Sequence, residues 1–79
     1  MATIYRVAGL RFVIFVNDHP PAHVHVFGVG EIKVRLQGAD GRPELIWADR
    51  MNRPDIRRAM QIVREHQLEM VARWEEIHG

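Results

Sequence analysis

Apolar residues in the first half of the chain recur with the two-residue period of β-strands. Residues 10–16 are rich in β-branched and aromatic side chains and are bounded by Gly9 and Asn17, which predicts a first strand. Residues 23–27 predict a second strand, and the strict alternation of residues 31–37 predicts a third strand with one buried face. This part of the chain is therefore expected to be an antiparallel meander.

The second half of the chain has the 3.6-residue period of an amphipathic helix. Asn52 is a candidate N-cap, and Pro54 lies in the first turn, where a missing N–H costs little. The apolar residues that follow fall on an arc of about 120°, the width of a stripe that faces a core. The stripe consists of Ile56, Ala59, Met60, Val63, Met70, Val71, Trp74 and Ile77.

These patterns predict an α+β fold with a three- to four-stranded antiparallel meander over residues 1–49 and one long C-terminal helix packed on one face. The fourth, short strand is expected at residues 44–48. The helix is expected over about residues 53–77, and at roughly 37 Å it would project beyond so small a sheet. Because no linker or repeat interrupts the pattern, residues 1–79 are expected to form a single domain.

One helix leaves the second face of the predicted sheet uncovered. Val13, Phe15 and Phe27 fall on that face, and exposed apolar surface of this kind usually meets a partner. We therefore expect a homodimer or a small protein partner to bind through the second sheet face. A sheet that curls over itself is the alternative.

The composition excludes several classes of protein. Without cysteine, the chain can form neither disulfides nor thiolate metal sites. No apolar run approaches the roughly 18 residues of a membrane span, and a signal-peptide pattern is absent from the N-terminus. We expect a cytoplasmic protein that does not bind membranes. Its net charge of +1 does not by itself indicate a nucleic-acid binder.

The arginines are nevertheless concentrated at the start of the predicted helix. Residues 50–64 contain five arginines and one acidic residue, an arrangement that opposes the helix macrodipole. On the predicted helix, Arg53, Arg57 and Arg64 form an arginine stripe beside the apolar one. An arginine stripe suits phosphate, nucleic acid or an acidic partner. The alternative is a solvated face with local ion pairs. The candidate anion- or nucleic-acid-binding residues are Arg50, Arg53, Arg57 and Arg64.

Three of the five histidines lie within seven residues, next to an aspartate and a proline pair. In an extended strand His23 and His25 share one face. Two imidazoles and a third nitrogen or carboxylate can hold a divalent transition metal such as zinc, iron, nickel or copper. The candidates for the third ligand are Asp18, His19 and His66. Alternatively, the two strand histidines are half-exposed and bonded to the backbone.

The chain also resembles a widespread family of small bacterial proteins that share the domain of unknown function 4160. The resemblance covers nearly the whole chain, and it implies that His66 is a site candidate. Family members are often encoded beside another small uncharacterised domain, an arrangement that resembles a toxin–antitoxin pair. The resemblance is carried by Thr3-Ile4 and Gly9, by Asp18-His19-Pro20-Pro21-Ala22-His23-Val24-His25, and by the spacing of His66, Glu69 and Trp74.

Two functions are therefore expected. The first is a small interaction or regulatory module, one half of a toxin–antitoxin-like pair, with a histidine-rich ligand or metal site. The second is a metal-dependent phosphodiesterase or ribonuclease in which His23, His25 and His66 hold a metal that activates water. The enzyme requires the three imidazoles to converge in an open cleft, whereas a binding module tolerates their dispersal.

Overall fold

The computed structural model describes residues 2–79 and has five strands and two helices. The strands form one antiparallel sheet in chain order, so the expected α+β meander is confirmed. The expected number of strands and the single helix are wrong. The elements are β1 (Ala2–Val7), β2 (Leu10–Ile14), β3 (His23–Gly28), β4 (Gly30–Arg35), β5 (Glu44–Asp49), α1 (Arg53–Glu65) and α2 (Gln67–His78).

The additional strand is β1, which pairs with β2 through a two-residue turn. The chain reverses at Ala8 and Gly9, whose φ angles are 53° and 77°, and Val7 pairs with Leu10 on either side of them. Two consecutive positive φ angles are typical of the tightest hairpins. Alanine rarely takes such an angle. The turn is Ala-Gly rather than the Asn-Gly or Asp-Gly that usually indicates a hairpin of this kind, so the sequence pattern did not predict it.

The β3–β4 hairpin turns around a single residue, Val29, which lies between the paired Gly28 and Gly30. Gly30 has a φ of 97°, and a Cβ at this position would overlap the backbone of Arg50. Only glycine combines that angle with such a close approach. The turn therefore sets the register of the two strands that carry the histidines and their neighbours.

The predicted helix is divided into α1 and α2 at His66, where the backbone leaves the helical region at φ −114° and ψ 21°. A straight helix over residues 53–77 would measure about 37 Å, which exceeds the longest dimension of the molecule, 33 Å. The break lets both segments pack on the sheet. The predicted start is confirmed, because the Asn52 side chain accepts a hydrogen bond from the backbone N–H of Asp55 at 2.9 Å.

The core lies between one sheet face and the two helices. Every residue of the predicted helical stripe is either part of the core or packed against it. On the opposite sheet face Val13 is fully buried, and Phe15 and Phe27 are partly buried within the chain itself. The most exposed strand is instead β5. None of the helices within residues 2–79 is long and apolar enough to cross a membrane.

Candidate metal centre

His23 and His25 leave β3 on the same face, as the alternation predicted, while Val24 and Val26 between and beside them enter the core. The centroids of the two imidazole rings lie 5.3 Å apart. His23 is buried, with 6% of its surface exposed, and His25 is partly buried. The alternation of side chains along β3 therefore places both imidazoles on the same face of the sheet, next to each other.

Asp18 reaches the same place from the loop between β2 and β3. Its backbone N–H donates to the carbonyl of Phe15 at 3.0 Å, and its carboxylate accepts from the N–H of Phe15 at 3.2 Å. The tight turn directs the carboxylate at the histidines. Oδ2 lies 3.2 Å from His23 Nε2 and 3.8 Å from His25 Nε2.

The Nδ1 atom of each imidazole ring lies within hydrogen-bond distance of an acceptor. His23 Nδ1 lies 2.9 Å from the carbonyl oxygen of Pro21, and His25 Nδ1 lies 3.0 Å from Glu31 Oε2. A carbonyl or an ionised carboxylate can only accept a hydrogen bond, so both Nδ1 atoms carry the proton and donate it. In the neutral rings, both Nε2 atoms then present a lone pair towards Asp18.

This arrangement places three acceptors against one another, which is unfavourable unless a cation or a proton lies among them. Asp18, His23 and His25 each offer one ligand atom, and these atoms lie within 4.8 Å of one another. In a tetrahedral site with bonds of about 2.0–2.1 Å, ligand atoms are about 3.3 Å apart. The widest separation between these ligand atoms therefore has to shorten, by side-chain rotation, before all three can bind one metal ion.

The hydrogen bonds at Nδ1 are those that orient histidine ligands in metalloproteins, where the second ring nitrogen donates to a carboxylate or a carbonyl. Aromatic rings surround the centre as well. The centroid of Phe15 lies 4.8 Å from that of His25, and the centroid of Trp74 lies 5.1 Å from that of His23. Apolar walls of this kind limit access of water and strengthen electrostatic attraction inside the site.

The remaining histidine candidates lie elsewhere. His66 stands at the junction of α1 and α2, where its Nε2 is 3.2 Å from the Tyr5 hydroxyl and its Nδ1 is 3.4 Å from Glu69 Oε1. His19 is exposed on the loop between β2 and β3. Within residues 2–79, the only group of possible metal ligands is Asp18, His23 and His25. The structure thus joins Asp18, rather than His66, to the two histidines.

The predicted arginine stripe lies outside this centre. Arg53, Arg57 and Arg64 are exposed on α1, and Arg50 precedes the helix with its Nε 3.9 Å from Asp49 Oδ1. Anion or nucleic-acid binding by these four residues stays a prediction.

A cleft of about 410 Å³ opens beside the centre. Asp18 and His23 line it from one side, and Lys33, Arg35 and Ile46 line it from β4 and β5. The loop residues that complete the lining are Asn17, His19, Pro20 and Pro21.

The sequence pattern did not single out Glu31, Lys33 and Arg35, because they were expected to form the solvated face of a half-buried strand. Their proximity to the histidines follows from the one-residue turn at Val29. With Gly28 opposite Gly30, His25 lies opposite Lys33 and His23 opposite Arg35. Gly28 and Gly30 indicated a turn in the sequence. They did not indicate the length of that turn, which determines the register of the two strands.

Comparison with known proteins shows the family of this chain. Residues 9–75 match the family described as Domain of unknown function (DUF4160), which is most of the chain. The protein therefore belongs to the DUF4160 family, as the resemblance implied. No curated protein and no solved structure shows a significant match.

Proposed function

We propose that this protein is a small cytoplasmic binding module in which Asp18, His23 and His25 hold a divalent transition metal, with zinc as the best fit. One observation carries the proposal: the Nδ1 atoms of both imidazoles lie within hydrogen-bond distance of acceptors, and their Nε2 atoms converge on the carboxylate of Asp18. Imidazole and carboxylate are suitable zinc ligands. Three protein ligands leave a coordination position open, which is the arrangement of sites that bind a ligand or a substrate rather than of closed structural sites.

The proposal is tested by zinc titration of tag-free protein against a chromophoric chelator. We expect one zinc per chain in the wild type, and a loss of affinity of more than about 100-fold in Asp18→Asn and His25→Ala. His66→Ala is the matched control, because it removes an imidazole that lies outside the centre, and it is expected to bind zinc normally. If the wild type does not bind zinc or another divalent transition metal with micromolar affinity, the metal site is wrong.

A metal-dependent phosphodiesterase or ribonuclease is the second candidate, with Asp18 in place of His66 as the third ligand. The observation that favours it is the cleft in which Lys33 and Arg35 lie beside the proposed ligands Asp18 and His23, because a metal with an open position can activate water. Zinc- or manganese-loaded protein should then cleave a chromogenic phosphodiester or a short RNA, and Asp18→Asn should abolish the turnover. Equal rates in the wild type and Asp18→Asn would assign the turnover to a contaminant.

We also propose that the module acts in a paired, toxin–antitoxin-like regulatory system, with a second protein chain as its partner. The paired gene arrangement that the resemblance to the family implies is one argument for this role. The open edge of β5, where Leu45, Ile46 and Trp47 are 39–45% exposed, is another, since an exposed apolar edge strand readily pairs with another chain.

A further inference from the structure

Lys33 and Arg35 are the basic residues closest in register to the proposed metal ligands. In the β3–β4 ladder Lys33 lies directly opposite His25, and Arg35 lies directly opposite His23. Residues paired in this way share one sheet face and have Cβ atoms about 5 Å apart. Both side chains line the cleft that Asp18 and His23 also line. Two cations and the metal centre therefore border the same space.

Neither cation has an acidic partner within residues 2–79. Arg42, Arg58 and Arg73 each form an ion pair with a nearby carboxylate, whereas Lys33 and Arg35 form none. The Nε atom of Arg35 is buried and lacks a hydrogen-bond partner. A buried, unsatisfied donor carries a free-energy cost, so the guanidinium of Arg35 is not fully satisfied by hydrogen bonds within the chain.

The charges of the loaded site favour an anionic ligand. A divalent metal, Lys33 and Arg35 supply four positive charges, whereas Asp18 and Glu31 supply two negative ones. An arginine fork, a lysine and an open metal position can each take one oxygen of a tetrahedral oxyanion. A phosphate monoester has three terminal oxygens, one for each of these groups. A carboxylate has only two.

The size of the cleft indicates the class of molecule that carries the phosphate. A volume of about 410 Å³ falls within the range of small-ligand sites, and it suits a nucleotide-sized molecule. Ile46, which is 45% exposed, lines the cleft on the β5 side. It offers an apolar surface for the organic part of the ligand.

We propose, on the basis of the metal site proposed above, that the loaded cleft binds a small phosphate monoester. The metal, Arg35 and Lys33 bind the phosphoryl oxygens, and Ile46 contacts the organic group.

The test is calorimetric titration of zinc-loaded, full-length protein at constant ionic strength, with AMP, inorganic phosphate, a dinucleotide phosphodiester and acetate as probes. We expect AMP to bind more tightly than the diester and acetate. Arg35→Met and Lys33→Met should each weaken AMP binding by roughly 10- to 100-fold. Both variants should still bind one zinc per chain. Arg57→Met is the matched control, because it removes an exposed arginine of the predicted stripe on α1, and it should bind AMP normally.

The outcomes separate this inference from the metal site. A chain that fails to bind zinc contradicts the proposed function, whatever the AMP result. If zinc binds but AMP affinity is unchanged in both cleft variants, the phosphate site is wrong. Loss of binding in Arg57→Met would move the anion site to α1. Acetate or the diester binding as tightly as AMP would rule out a phosphate monoester as the ligand. If Arg35→Met also loses zinc, Lys33→Met alone decides the outcome.

Discussion

Glu31 shows how a single residue on a neighbouring strand can tune the centre. Its carboxylate accepts the hydrogen bond from His25 Nδ1 at 3.0 Å, and it thereby fixes both the tautomer and the orientation of the ring. Such outer partners raise the basicity of a histidine ligand. Glu31 is itself partly exposed, so its contribution to folding is expected to be small.

We therefore expect Glu31→Gln to reduce zinc affinity by about 10- to 100-fold, because an amide is a weaker acceptor than a carboxylate. The measurement is zinc competition with a chromophoric chelator, accompanied by urea unfolding of the metal-free protein. Glu69→Gln is the control, since Glu69 contacts His66 instead. Unchanged zinc affinity in Glu31→Gln would show that the His25–Glu31 contact has no role in metal binding.

At the scale of elements, the polar side chain of Gln67 fixes the position of the junction between α1 and α2. Gln67 is partly buried at the start of α2, where its side-chain amide needs hydrogen-bond partners. Its Nε2 donates to the carbonyls of Leu36 and Gly41, both at 2.7 Å. Gln67 thus ties the start of α2 to the connection between β4 and β5.

Replacement of this amide should destabilise the fold. Gln67→Ala removes the donors that satisfy two backbone carbonyls, and we expect the free energy of unfolding to fall by about 1–3 kcal/mol. The exposed Gln61 on α1 provides the control, and Gln61→Ala should change stability by less than about 0.5 kcal/mol. Urea denaturation of both variants checks this. Equal stabilities would mean that solvent replaces the two hydrogen bonds without cost.

At the scale of the whole molecule, a metal would join the loop between β2 and β3 to the middle of the sheet. A ligand that binds only the folded state stabilises it by about 2.7 kcal/mol at 100 times its Kd. For a domain of this size that corresponds to a rise in Tm of about 10–20 °C. We expect this rise for the wild type with zinc in differential scanning calorimetry. Asp18→Asn should show no rise, and an equal rise in that variant would locate zinc elsewhere.

The oligomeric state also belongs to this scale. Val13, Phe15 and Phe27 on the second sheet face are buried or partly buried within the chain, whereas the edge strand β5 carries three consecutive exposed apolar residues, Leu45, Ile46 and Trp47. If the expected homodimer forms, β5 is its best surface, because an open strand edge pairs readily with a second copy. The molar mass from light scattering should then rise above 9.2 kDa with concentration.

The substitution Leu45→Lys should keep the protein monomeric. Leu68→Lys changes another exposed leucine, on α2, and should leave the association intact. A wild-type mass that stays at 9.2 kDa at every concentration would exclude the homodimer.

The sequence by itself determined the features that depend on local backbone geometry. Strand alternation placed Val24 and Val26 in the core and His23 with His25 on the other side, and the helical stripe and the Asn52 cap were correct. These patterns are reliable because the periods of strands and helices are properties of the backbone alone. Only the tertiary structure decided how distant segments meet.

A turn at Phe15 brought Asp18, instead of His66, to the histidines. The one-residue hairpin at Val29 placed Lys33 and Arg35 opposite them, and the backbone leaves the helical region at His66, which divides the predicted helix. Which side chains converge depends on turn geometry and strand register, and a shift of one residue in register would move every side chain to the other face.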